Sequence, residues 1–174
     1  MNLKPLSPTA LVVMGVAGCG KSSLGQACAA ALGWPLLEGD DFHAPSSIAK
    51  MRQGQALTDA DREGWLNTLA AQLQSHPDGV VLTCSALRQR YRNQLRAAHP
   101  RLGFAFLDLD RATAQARVAA RPGHVFPVSL VDSQFATLES PLGEDWVLHL
   151  DATQALNPLT HQVLQWITPQ ECTP

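Results

Sequence analysis

The stretch Gly15-Val16-Ala17-Gly18-Cys19-Gly20-Lys21-Ser22 sets two glycines, a lysine and a serine at the spacing GxxxxGK[ST]. A loop of this composition wraps backbone N–H groups around phosphate oxygens, and a Cβ at the glycine positions would block the approach or the turn. The helix expected after it aims its positive end at the same phosphates. Lys21 is then the bridge between β- and γ-phosphates, and the Ser22 hydroxyl is a ligand for Mg²⁺. With Ser23 beside them, residues 15–23 form the candidate site for ATP.

Phosphoryl transfer also needs a carboxylate, at the end of a strand beside the loop, to hold Mg²⁺ directly or through water. Glu38 and Asp40 after the second apolar run, Asp108 and Asp110 after the fourth and Asp151 after the fifth all offer one. Glu38-Gly39-Asp40-Asp41 is the densest cluster. An acceptor hydroxyl must lose its proton as it attacks phosphorus. Asp40 is the candidate general base, and Glu38 the candidate outer-shell ligand of Mg²⁺.

Arg88, Arg92 and Arg96 recur every four residues, so they share one face of a helix, while Arg90 points away. Beginning at a strand's carboxyl end, such a stripe could grip a carboxylate or phosphate by paired hydrogen bonds. A solvated surface role suits Arg96 better than the other two. Arg117 and Arg121 flank the end of another helix, ahead of Pro122-Gly123-His124-Val125-Phe126-Pro127. This pattern predicts a mobile lid over about residues 117–139 that closes on the triphosphate and excludes water. Its arginines would stabilise charge on the transferring group, with Arg121 in a catalytic role alongside Lys21 and Asp40.

These residues need a scaffold, and the apolar pattern supplies one. Leu11–Met14, Leu36-Leu37, Val80–Thr83, Phe104–Leu107 and Trp146–Leu150 read as short buried strands. Helical segments alternate with them: Lys21 to Leu32, one capped at Thr58 to Asp61 and carrying Trp65, Leu66, Leu69 and Leu73, Arg88 to Ala98, Ala112 to Ala120, and a last one from Asn157-Pro158 to Ile167. Alternation of this kind predicts an α/β fold of three layers, a five-stranded parallel sheet with right-handed crossovers and helices on both faces. Ligands gather at the carboxyl ends of such strands, where every motif above falls. No linker divides residues 1–174, which read as one domain.

Composition narrows the function classes. Apolar residues at 45% and charged residues at 16% allow a packed core and argue against disorder. A formal net charge of −2 gives no general field for nucleic acid or an anionic membrane. No apolar run approaches the ~20 residues that span a bilayer. Cys19, Cys28, Cys84 and Cys172 form no CxxC pair and read as free thiols, which with the rest points to the cytoplasm.

In order along the chain, the residues resemble the gluconokinases. The match runs from the phosphate loop through Gly39-Asp40 with His43, Lys50-Met51, Gly54, and Leu57-Thr58-Asp59 with Asp61-Arg62 and Trp65-Leu66. It continues through Cys84-Ser85-Ala86-Leu87-Arg88 with Tyr91-Arg92, Arg121 with Gly123-His124, and Ser133-Gln134-Phe135 with Leu138-Glu139 and Pro141. The resemblance implies ATP-dependent phosphorylation of D-gluconate at its 6-hydroxyl, a nucleoside-monophosphate-kinase-like sheet of order 2-3-1-4-5, a homodimer and a cytosolic setting. It also implies contacts to the sugar acid from Asp40, His43, Lys50, Arg62, Ser85, Arg88, Arg92, His124 and Gln134, with Arg62, Arg88 or Arg92 on the carboxylate. Two positions depart from the family pattern: Ser47 stands where Asn is frequent and Glu38 where Asp is common. Other readings are a kinase of another hydroxylated acid such as shikimate, whose expected Gly-Gly-Gly segment is absent here, and a nucleotide-binding switch without catalysis.

Overall fold

A computed structural model describes residues 7–123 and 126–168. The strands are β1 (Ala10–Met14), β2 (Leu36–Glu38), β3 (Val81–Thr83), β4 (Leu102–Asp108) and β5 (Val147–Asp151). All pair in parallel, in the order β2-β3-β1-β4-β5. The helices are α1 (Lys21–Leu32), α2 (Pro45–Arg52), α3 (Asp59–Gln74), α4 (Gln89–Ala98), α5 (Arg111–Ala119), α6 (Ser129–Thr137) and α7 (Leu156–Ile167), with a 3₁₀ turn at Gly39–Phe42.

The pleat of β1 divides the interior in two. Leu11 and Val13 face a core shared with Leu24 and Cys28 of α1, Ala114 and Val118 of α5, and Leu159 and Val163 of α7. Ala10, Val12 and Met14 face the other side, against Trp65, Leu69 and Leu73 of α3 and Tyr91 and Leu95 of α4. Alternate residues of a strand point to opposite faces, so a continuous apolar run is what a doubly covered parallel strand requires. The two helical layers are those expected from the alternating pattern, and the sheet order is the one the family resemblance implies.

α3 begins where the sequence places its cap. The Thr58 hydroxyl accepts from the Asp61 amide while the Asp61 carboxylate accepts from the Thr58 amide, closing both halves of a capping box. Two helices were not foreseen. α2 opens on Pro45 at its first position. α6 occupies the last part of the segment expected to be a lid, and its Leu130 and Val131 are buried. Residues 120–123, 126–128, 138 and 139 of that segment lie outside helix, and His124 and Val125 lie outside the described residues.

Candidate active site

The carboxyl ends of β1, β2 and β3 open into a cavity of about 470 Å³. Its walls include Gly18, Gly20, Lys21 and Ser22 of the phosphate loop, Asp40 and His43 after β2, Arg62 and Trp65 of α3, and Ser85 after β3. Arg121, Ser133 and Gln134 close it from the side of α5 and α6.

The phosphate loop leaves β1 at Gly15, whose φ of +145 and whose distance of only 2.7 Å from a built Cβ to the Leu107 carbonyl oxygen exclude a side chain. α1 then starts at Lys21 without a side-chain cap. Its first-turn N–H groups have no partner within the helix, as at any helix N-terminus, and they face the cavity. The Lys21 ammonium lies across the loop, donating to the carbonyls of Gly15 and Val16 at 3.1 Å each. Gln134 reaches back from α6, its Oε1 accepting from the Ala17 amide at 2.6 Å. Arg117 braces the outer side, donating to the carbonyl of Gly18 at 3.4 Å and of Ala152 at 3.1 Å.

Of the five acids at strand ends, only Glu38 meets the loop. Its Oε2 accepts from the Ser22 hydroxyl at 3.0 Å and from Thr83 Oγ1 at 2.5 Å. Asp108 is held by His149 at 2.9 Å, Asp110 caps α5, and Asp151 accepts from the Thr153 amide. A serine hydroxyl beside a carboxylate is a set of hard oxygen donors, which suits Mg²⁺ bound jointly with phosphate oxygens.

Asp40 follows at one residue's remove, and its side chain is 86% exposed. The turn carrying it is fixed from three sides. Gly39 sits so close to β3 that a Cβ would lie 2.2 Å from the Thr83 carbonyl oxygen. The Gly39 amide donates to Thr83 Oγ1 at 3.2 Å, and its carbonyl accepts from Trp65 Nε1 at 2.7 Å. His43 stacks on Trp65 with ring centroids 4.3 Å apart, and its Nε2 faces Asp40 Oδ1 at 3.7 Å. Burial pushes the His43 imidazole below its ordinary pKa, opposed by Asp40 and reinforced by Arg62, so the ring is neutral near pH 7.

The arginine stripe faces elsewhere. Arg92 is wholly buried, with Nε and Nη2 on the Glu144 carboxylate, and Arg96 reaches the same carboxylate at 2.7 Å. Arg88 approaches Asp59 at 3.7 Å and Glu139 at 3.8 Å. Neither Arg88 nor Arg92 is in the cavity wall, and Lys50 is turned to Asp61 at 2.6 Å, tying α2 to α3. Arg88 and Arg92, two of the three arginines expected to take the carboxylate, are thus engaged by acids away from the wall; the third, Arg62, lines it, half-buried, its Nη1 donating to the Tyr91 hydroxyl at 3.4 Å. Ser47 is buried and outside the wall, which its neighbours Ile48 and Met51 line instead. The expected contact at His124 lies outside the described residues.

A family model described as an AAA domain matches residues 11–141. A gluconokinase of Gluconobacter oxydans is 45% identical over 144 residues, covering 80% of each chain. Among solved structures, a gluconokinase of Sinorhizobium meliloti superposes with a TM-score of 0.85 at 41% identity, over 94% of this chain and 93% of that one. A sugar kinase of Janibacter superposes with a TM-score of 0.87 at 37% identity, over 96% and 99%. The chain belongs to the gluconokinase family.

As a P-loop kinase of that family, the protein binds ATP. Three residues of this gluconokinase-family site escaped the sequence. Thr83 looked like the plain end of a strand, yet its hydroxyl joins Glu38 to Gly39. Trp65 read as core; it is buried and also fixes the Asp40 turn. Arg52, exposed at the end of α2, lines the cavity opposite the loop. The Trp65 indole N–H was the one available signal, since a buried indole seeks an acceptor.

Proposed function

We propose that the protein phosphorylates D-gluconate at its 6-hydroxyl, giving 6-phospho-D-gluconate and ADP. The observation that carries this reading is the meeting of the phosphate loop, Asp40 and Arg62 on one cavity of about 470 Å³. Its size suits a sugar acid beside a triphosphate tail.

The acceptor lies with its hydroxyl toward Asp40, whose carboxylate takes the proton as the oxygen attacks the γ-phosphorus. The new O–P bond forms as the bond from the γ-phosphorus to the β,γ-bridging oxygen breaks, and the electron pair leaves on ADP. Lys21 and the α1 amides offset charge on the phosphate oxygens, and Arg121 adds a guanidinium from the far wall. Ser22 and Glu38 would hold Mg²⁺, which supplies further charge neutralisation when bound. Neutral His43 and Ser85 hydrogen-bond the sugar hydroxyls. Arg62 takes the carboxylate, with Arg52 a second guanidinium on the same cavity. Gln134, on the cavity wall, also keeps the loop in shape through Ala17.

The family resemblance supports three companions to this reading: one kinase domain whose residues 117–139 close over the nucleotide, a homodimer, and a cytoplasmic setting. The test is a coupled assay of ADP release over gluconate, other sugar acids, shikimate and nucleosides. Turnover with gluconate that needs Mg²⁺ is the expected result. A flat response across the panel with ATP still bound would overturn the reading in favour of a switch.

A further inference from the structure

Ala86, the residue after Ser85, is buried and has a φ of +46, in the left-handed region that L-residues other than glycine and asparagine seldom enter. A right-handed or extended Ala86 would turn Ser85 to a different direction relative to the cavity. The Ala86 carbonyl is held by the side chain of Arg92. Arg92 Nη1 donates to the Ala86 carbonyl at 2.7 Å, and Nη2 donates to the Glu139 carbonyl at 3.1 Å. The remaining donors of the fork go to the Glu144 carboxylate at 2.5, 3.0 and 3.2 Å.

We propose that Arg92 is a positioning residue for the acceptor: its buried guanidinium locks Ala86 in the left-handed conformation and thereby keeps Ser85 on the cavity wall. The proposal rests on the acceptor reading above. A buried ion pair is weak support for stability alone, because apolar residues of similar volume often serve as well. An apolar residue could not hold a carbonyl, though, and lysine has one nitrogen where the arginine fork has three. Two further bonds press the same turn against the same segment. The Glu139 amide donates to the Leu87 carbonyl at 2.8 Å, and Glu139 Oε2 accepts from the Gln89 amide at 2.7 Å. Arg92 thus closes a bracket in which the acceptor-side turn cannot relax independently.

The test compares Arg92→Lys, Arg92→Lys/Ala86→Gly and Glu144→Gln with the wild type. Each is assayed for the KM of the acceptor, the KM of ATP, kcat and thermal midpoint. Arg92→Lys should raise the acceptor KM about tenfold or more and leave that of ATP within about twofold. Glycine accepts a positive φ freely, so the double variant should recover at least about threefold of that loss. Glu144→Gln keeps the bond to Ala86 and should lower the thermal midpoint while leaving the acceptor KM within about twofold.

A purely structural arginine would give a lower midpoint in every variant with both KM values unmoved, and that result would overturn the proposal. If Arg92→Lys does not fold, recovery of soluble, active enzyme in the double variant supports the lock, and failure of both overturns it. Gluconate turnover by the wild type tests the acceptor reading separately. An inactive wild type removes both, whereas an active wild type with unmoved variants removes Arg92 alone.

Discussion

Replacing Gly39 by alanine puts a methyl carbon 2.2 Å from the Thr83 carbonyl oxygen and 3.6 Å from Cys84 Cα. Ordinary contact begins near 3.4 Å, so β2 and β3 must part locally by about 1 Å. The obstacle is backbone of a paired strand, which cannot swing away as a flexible side chain would. The Gly39 amide on Thr83 and the Gly39 carbonyl on Trp65 both stretch with that movement, and Asp40 moves with them. Overpacking of this kind costs about 1–3 kcal/mol of stability. The effect on chemistry is larger, since a 1 Å misplacement of a reacting group can lower turnover about 10²-fold. The β1–α1 loop is not touched, so nucleotide binding should stay within about twofold of wild type. Coupled ADP release with gluconate and titration with a fluorescent ATP analogue measure the two effects side by side. A folded Gly39→Ala enzyme with turnover within about threefold of wild type would refute the claim that this close approach fixes the Asp40 turn.

Thr83→Val removes the hydroxyl that bridges Glu38 and the Gly39 amide. It should cost about 1–3 kcal/mol by denaturant titration for the stranded amide and raise the Mg²⁺ concentration needed for half-maximal rate. Asp61 has its pKa lowered to about 2, first by the hydrogen bond from Lys50 and then by the Thr58 amide, against 3.8 when free. Its contribution to stability is complete above about pH 4 and is lost as pH falls through about 2, so Asp61→Asn should flatten the acid limb of a stability–pH profile. Burial pushes the thiols of Cys28 and Cys84 up to about 12 and raises that of Cys19 as well. At pH 8 none of the three should label with iodoacetamide in the folded enzyme, as read by peptide mass mapping; rapid labelling at Cys19 would contradict its burial in the phosphate loop.

The fold was legible because a doubly covered parallel sheet writes itself as apolar runs, and Leu11–Met14 and Phe104–Leu107 are such runs. β2 was the faintest strand, since Leu36, Leu37 and Glu38 are only half-buried at the sheet's edge. α2 is short and half exposed, and α6 lies just behind the proline- and glycine-rich stretch, so neither carries a long periodic stripe. In the site, the phosphate loop and Asp40 followed from their places at strand ends, whereas His43 and Ser85 came from the family resemblance. The arginines were different. Four-residue spacing holds for Arg92 and Arg96, which share Glu144, but Arg88 is the extended cap before α4 and meets Asp59 together with Arg90; periodicity cannot say what a face meets, and Glu144 lies 52 residues beyond Arg92. Glu38 was chosen over Asp108, Asp110 and Asp151 for the density of its cluster, and the structure adds that each of those three acids has a partner of its own.

Asp40→Asn tests the central claim most directly, because it keeps the size of the side chain and removes its capacity to take a proton. Turnover with saturating gluconate and Mg·ATP and equilibrium binding of a non-hydrolysable ATP analogue are measured on the same preparation. The account predicts a fall in kcat of about 10²–10⁴-fold with analogue affinity unchanged. Near-normal turnover would contradict it, and would remove Asp40 from the proton's path.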